Sequence, residues 1–173
     1  LAVDDFLMKT GHNGQGARRT PRFIADHMLG KLAQWLRILG YDTVFSPEYD
    51  DADIVRLALR EGRVILTRDR GLIARVAVRE FIFIESQDHT EQVKQVFDIL
   101  KVRPDIGRIF TLCPVCNRRI VAVDKDQVEG AVPPYVYQHK DNYSKCPKCR
   151  RIFWQGTHHE RTLKKLRAIF GRF

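Results

Sequence analysis

Three aspartates stand where metal chemistry could be done. Asp26 ends Arg22-Phe23-Ile24-Ala25, Asp51 opens a helix in Asp50-Asp51-Ala52-Asp53, and Asp69 closes Val64-Ile65-Leu66-Thr67-Arg68-Asp69. Val64 to Leu66 is a β-prone apolar run, suited to a strand buried on both faces. In open parallel sheets, ligands bind beyond the carboxyl ends of the strands. Carboxylates gathered there hold hard divalent cations such as Mg2+ or Mn2+, which activate water and stabilise a leaving oxygen in phosphodiester cleavage. Each acid also stands where a helix N-cap would, and Asp is common in that role. Asp53 and Glu85 are reserve candidates.

Around these acids, the Thr67 hydroxyl could orient Asp69 or a metal-bound water, or cap the turn after its strand. Arg37, Arg68 and Arg70 could hold phosphate, since a guanidinium binds it bidentately. For Arg37, at the end of its helix, surface solvation or dipole pairing is the alternative. Nucleophilic chemistry has no candidate in this part of the chain: it lacks Gly-x-Ser-x-Gly, His-Glu-x-x-His and any cysteine. The glycines between Gly11 and Gly16 lack the Gly-Lys-Ser/Thr ending of a phosphate loop.

All four cysteines come later, as Cys113-Pro-Val-Cys116 and Cys146-Pro-Lys-Cys149, 29 residues apart. Two such pairs place four thiolates at the tips of two turns, the arrangement of a structural Zn2+ site. No stretch reads as a secretory signal, so a reducing, cytoplasmic setting favours metal over disulfides. A redox pair or free buried thiols would be the alternatives.

Apolar periodicity supplies the elements that would carry these groups. Residues 22–25, 43–45, 64–66 and 81–84 read as strands. Helices are expected over 29–39, from Asp50 or Asp51 to Gly62 with Ile54, Val55, Ala58 and Leu59 facing inward, from about Leu72, and over 90–100. Strands alternating with helices imply right-handed crossovers and a parallel sheet, an α/β class. A receiver domain also gathers acids at strand ends, but it wants paired acids after the first strand, where only Asp26 stands. Three domains are expected: a flexible segment over 1–20, the α/β module over 21–107, and the cysteine module with a final basic helix over 108–173. In the last, residues 120–123, 135–137 and 151–154 read as strands and 158–170 as the helix.

The charge follows the same division. Of 30 Lys+Arg and 21 Asp+Glu, residues 1–107 hold 16 and 16, and residues 108–173 carry the whole surplus of nine. A basic module of this kind points to a polyanion, nucleic acid above all, against the alternative of a merely solvated surface. Lys145, Lys148, Arg150 and Arg151 beside Phe153 and Trp154 would suit phosphate contact and base stacking; core packing is the alternative for Trp154. His158 and His159 could be spare ligands, helix-start residues or RNA contacts. No run of apolar residues is long enough to span a membrane.

Residues 23–32, 36–42 and 66–70, followed by Cys113-Pro-Val-Cys-Asn117, Val132-Pro133, Cys146-Pro-Lys-Cys149 and Trp154-Gln-Gly-Thr-His158, resemble the prokaryotic Mut-seven C-terminal RNase domain family. The likeness covers about residues 22–160. It implies a PIN-like parallel sheet flanked by helices, an appended zinc ribbon, and metal-dependent cleavage of RNA, expected to be single-stranded. It also implies catalytic roles for Asp26, Asp51 and Asp69, which match the family's acids after the first strand, at the start of an inner helix and in its Thr-x-Asp turn. A fourth acid common in such nucleases has no counterpart here.

Overall fold

The computed structural model describes residues 20–75 and 80–171. The N-terminal stretch read as a linker, apart from Thr20, and Arg172 lie outside the described residues. Four parallel strands form the central sheet: β1 (Phe23–Ala25), β2 (Thr43–Val44), β3 (Val64–Thr67) and β4 (Phe81–Phe83), in the order β2-β1-β3-β4. The chain alternates them with α1 (Gly30–Ile38), α2 (Asp51–Glu61), α3 (Arg70–Arg75) and α4 (His89–Leu100).

Right-handed crossovers decide which face each helix covers. The step from β1 to β2 runs one way along the sheet, and the steps from β2 to β3 to β4 run the other. α1 therefore covers one face, where α4 packs beside it over Phe23, Ala25, Val64, Leu66 and Ile82, while α2 and α3 share the other, over Ile24 and Ile65. Alternate residues of each short strand point to opposite faces, so the apolar triplets are buried on both sides.

Local signals set the helix ends. The Asp50 carboxylate accepts from Asp53 N–H at 2.7 Å and starts α2, and Gly62 ends it in the left-handed region at φ 60°. Asp88 accepts from the N–H groups of Thr90 and Glu91 and starts α4. Within α2, Ile54 and Ala58 are buried, four residues apart on one face, but Leu59 is 63% exposed. One residue is a turn of about 100° on a helix, which carries Leu59 off the inner stripe expected to include it.

The cysteine-bearing part forms a second, antiparallel sheet in the order β5-β6-β7, from Val121–Val123, Tyr143–Lys145 and Ile152–Trp154. Residues 135–137, expected as a strand, lie instead in a short helix, α5 (Pro134–His139). Pro134 fixes a helical φ at its first position, and Val136 and Tyr137 pack on Val128, Val132 and Tyr143. β6 was not anticipated, since its Tyr-Ser-Lys offers no apolar alternation.

The final helix, α6 (Thr157–Phe170), returns to the first module. Leu166 and Phe170 are buried in the cluster that contains Val93, Val96 and Phe97, with Leu163 and Ile169 against it. The division at 107/108 therefore does not separate the cores: α6 completes the core of the α/β module. Gly40 makes this return possible, because at φ 82° a Cβ would stand 2.4 Å from the Arg108 carbonyl oxygen. Leu166→Ala should destabilise the parallel-sheet module by about 2–5 kcal/mol, read as a lower urea midpoint for the whole chain. A change confined to the cysteine module would contradict this packing.

Candidate functional site

The sheet order reverses between β1 and β3, the neighbours whose onward connections leave in opposite directions. Such a switch point opens a crevice at the carboxyl edge, and it is here that Asp26 and the Thr67–Asp69 turn emerge. Asp26 N–H donates to the Leu66 carbonyl at 2.9 Å, which holds the ends of the two strands together. The Thr67 hydroxyl then bridges the acids: it donates to Asp26 Oδ2 at 2.8 Å and accepts from Asp69 N–H at 2.9 Å. Thr67 is fully buried, so it orients both acids and is not open to substrate. The bond from Asp69 N–H is the turn-capping one, while the hydroxyl proton goes to the Asp26 carboxylate and not to that of Asp69.

The three acids are placed differently. Asp26 is 1% exposed, and its side chain caps nothing. His27 Nδ1 stands 2.6 Å from Asp26 Oδ1, but without hydrogen-bond alignment, so that buried oxygen has no donor. Asp69 is exposed and its Oδ1 accepts from Gly71 N–H at 2.6 Å, a capping bond that leaves Oδ2 without a capping role. Asp51 is the first residue of α2, behind the cap Asp50, and half-buried. Asp53 is paired with Arg56. The acids share one edge without meeting at ligand distance: among the described residues, the four cysteines are the group of ligating side chains whose donor atoms all lie within 4.8 Å. Sequence reasoning passed over His27, whose signal was its position directly after the strand-end acid.

Of the arginines, Arg68 is half-buried within the turn, and exposed Arg70 lays its guanidinium 5.2 Å from the Phe83 ring centroid. Arg37 is elsewhere. It is 4% exposed, at the end of α1, which runs from the carboxyl edge to the amino edge of the sheet. Its Nε donates to the Thr43 carbonyl at 2.8 Å and its Nη1 to the carbonyls of Pro114 and Val115 at 3.0 and 2.8 Å. The expectation that Arg37 holds phosphate gives way to this burial: it is a clamp between the modules. Burial lowers its pKa, while nearby Cys113, Cys116 and Asp42 act to raise it.

The clamp has a second arm. Asn117 accepts from Thr43 N–H at 3.0 Å and donates to Asp42 Oδ1 at 2.5 Å. Asp42 in turn receives Arg63 at 2.9 and 3.1 Å on its two oxygens. Burial would raise the Asp42 pKa, but Arg63 and Asn117 hold it below the usual carboxylate range. These partners lie up to 78 residues apart in sequence, beyond any local pattern.

The cysteine centre fits a tetrahedral cation. Cys113 and Cys146 are buried, Cys116 and Cys149 half-buried, and Cys113 and Cys149 sulfurs are 3.7 Å apart. A tetrahedron with Zn–S bonds of about 2.3 Å has edges of about 3.8 Å. The turns match: Asn117 N–H donates to the Cys113 carbonyl and Arg150 N–H to that of Cys146, each at 2.9 Å, with both residues in the left-handed region. The four cysteines could hold a zinc ion, closed by sulfur on all sides and therefore structural.

The chain matches the Mut7-C RNAse domain family over residues 21–166 and belongs to that family. It is 33% identical over 104 residues to a human protein described as exonuclease mut-7 homolog, a match covering 57% of this chain and 12% of that protein. No solved structure matches. Family and relative support a nuclease-type function. No helix among the described residues is long and apolar enough to cross a membrane.

Because Arg37 joins the cysteine turn to β2, metal and sheet should unfold together. Cys146→Ser should lower the melting temperature of the α/β module as well as the ribbon. Arg37→Met, which leaves three carbonyls without their buried donor, should cost about 3 kcal/mol or more in chemical denaturation. Metal analysis should give about one zinc per chain. An α/β module with unchanged stability in Cys146→Ser would contradict the coupling.

Proposed function

We propose that the protein is a metal-dependent ribonuclease of PIN-like fold that hydrolyses phosphodiester bonds in single-stranded RNA within the reducing cytoplasm. The observation that carries this reading is the switch-point arrangement in which Thr67 ties Asp26 to the Asp69 turn, while a buried Asp26 oxygen lacks any donor. A carboxylate oxygen so placed, beside the His27 ring but without an aligned hydrogen bond, fits a cation. Asp26, Asp51 and Asp69 would hold Mg2+ or Mn2+, which when bound supplies water activation and stabilises the leaving oxygen.

The chain's own residues supply the rest. Thr67 fixes the direction of Asp26, and its contact with Asp69 N–H fixes the turn. Arg68 and Arg70, flanking Asp69, are placed to receive phosphate oxygens. The cysteine centre holds Zn2+ as a structural ion, and the basic residues that follow it assist RNA binding. A second reading, an RNA- or protein-binding module without cleavage, draws support from the acids' failure to meet at ligand distance.

Cleavage of a labelled single strand with Mn2+, and its loss when Mn2+ is left out, separates the two readings. Asp69→Asn should remove cleavage while the fold survives, because an asparagine oxygen can still accept from Gly71 N–H. Thr67→Val, which frees Asp26 from its orienting bond, should cost about 10–100-fold in activity or metal affinity. Full activity in Asp69→Asn would overturn the metal-holding role of Asp69, and no cleavage by the metal-replete parent would overturn the nuclease reading.

A further inference from the structure

The basic face of α6 does not surround the acids; it lies at the other end of the sheet. α6 is pinned to the amino edge at both of its ends. Near its start, the His159 ring lies 4.2 Å from that of Phe110, whose N–H donates to Ile38 at the end of α1. At its finish, the Phe170 carbonyl accepts from Arg103 and its ring lies 4.8 Å from Phe97. Phe97 in turn meets Tyr41, just ahead of β2, edge-on at 5.3 Å.

With Leu163, Leu166, Ile169 and Phe170 turned to the core, the opposite face carries Arg161, Lys164, Lys165 and Arg167, all exposed. Exposed Lys101, at the end of α4, adds to the same edge. None of these side chains has a hydrogen-bond or ion-pair partner among the described residues, whereas nearby Asp98 is already engaged by Lys94 at 2.5 Å. The carboxyl edge instead gathers acids, Asp26, Asp50, Asp51, Asp69 and Asp88, with Arg68 and Arg70 beside Asp69.

The distance between the edges follows from α1, which spans them in nine residues, about 13 Å at 1.5 Å per residue. We propose that the basic face of α6 grips RNA phosphates at a fixed remove from the cutting edge, so that the protein favours strands long enough to reach from one edge to the other. This rests on the ribonuclease reading for its substrate. At a stacked spacing of about 3.4 Å per nucleotide, the gap corresponds to about four stacked nucleotides, and a path over the surface needs more. Shorter oligonucleotides engage the cutting edge alone, at the acids and at Arg68 and Arg70.

The test uses the full chain, a variant carrying Arg161→Gln, Lys164→Gln and Lys165→Gln, and 5′-fluorescein oligouridylates of graded length, from about 4 to about 20 nucleotides. Binding is read by anisotropy without added Mn2+ across a salt series, and cleavage is read separately with Mn2+. For the longest strand, the variant should lose about tenfold or more in affinity at low salt, and its salt slope should flatten by about 2, three phosphate contacts at about 0.7 each. For the shortest strand, variant and parent should agree within about twofold, and kcat should be unchanged at every length. Lys101→Gln with Arg167→Gln repeats the measurement on two helices if the first variant melts early. Equal losses at all lengths, or no loss on the longest strand, would overturn the grip. A length-dependent binding loss without cleavage by either protein would leave the grip standing and remove the nuclease reading.

Discussion

One buried guanidinium holds the two halves of the molecule in register. Arg37 has water on almost no side, so its charge is tolerable only because fixed carbonyls surround it. Two of those carbonyls, of Pro114 and Val115, belong to the turn between Cys113 and Cys116. The turn must keep its shape for the arginine to stay satisfied, and four clustered sulfurs are what keep it. A lysine could not replace this residue, because its single ammonium cannot reach Thr43 and the cysteine turn in separate directions at once. The second cysteine turn repeats the backbone of the first but has Arg150 where the first has Asn117. The first turn alone carries the amide that reaches Thr43 and Asp42.

That clamp fixes the orientation of everything beyond it. In a parallel sheet all strands end at one edge, and the N-termini of α1, α2 and α4 gather there with their partial positive charge. Acids are favoured at that edge for this reason alone, as the caps Asp50 and Asp88 show. The opposite edge receives helix C-termini, where cations are favoured, and there the cysteine turn and α6 are docked. The polarity of the surface, acids at one end and free lysines and arginines at the other, follows from strand direction and the point of docking.

The same logic explains what the sequence could disclose. Buried parallel strands are legible as apolar triplets, and helix ends as Asp50, Gly62 and Asp88, because those signals are local. A choice between cap and ligand is not local. Asp50 and Asp88 are caps, Asp69 spends one oxygen on a cap, and Asp26 caps nothing because Thr67, 41 residues away, turns it inward. Arg37 looked like a surface cation from its neighbours, and its partners lie 77 and 78 residues on. Tyr135 to Tyr137 has strand propensity by residue type, yet Pro134 and the small core beneath overrule it. The basic run from Arg161 to Arg167 was visible as charge; its place at the amino edge depends on Leu166 and Phe170 finding the core of the other module.

Asp26 is the position where these constraints conflict. Its backbone is fixed by the pairing of β1 with β3, which places the carboxylate at the crevice with almost no access to water. Thr67 satisfies one oxygen; the other faces His27 without a donor along its lone pairs. A buried acceptor without an aligned donor is a cost in a purely structural role, and a neutral side chain there would fit the strand at no such cost. The fold bears that cost because β1 is paired on both sides and over-determines the position. Thr67 keeps the other oxygen occupied, so whatever partner the crevice supplies to Asp26 must meet it at the single atom Oδ1.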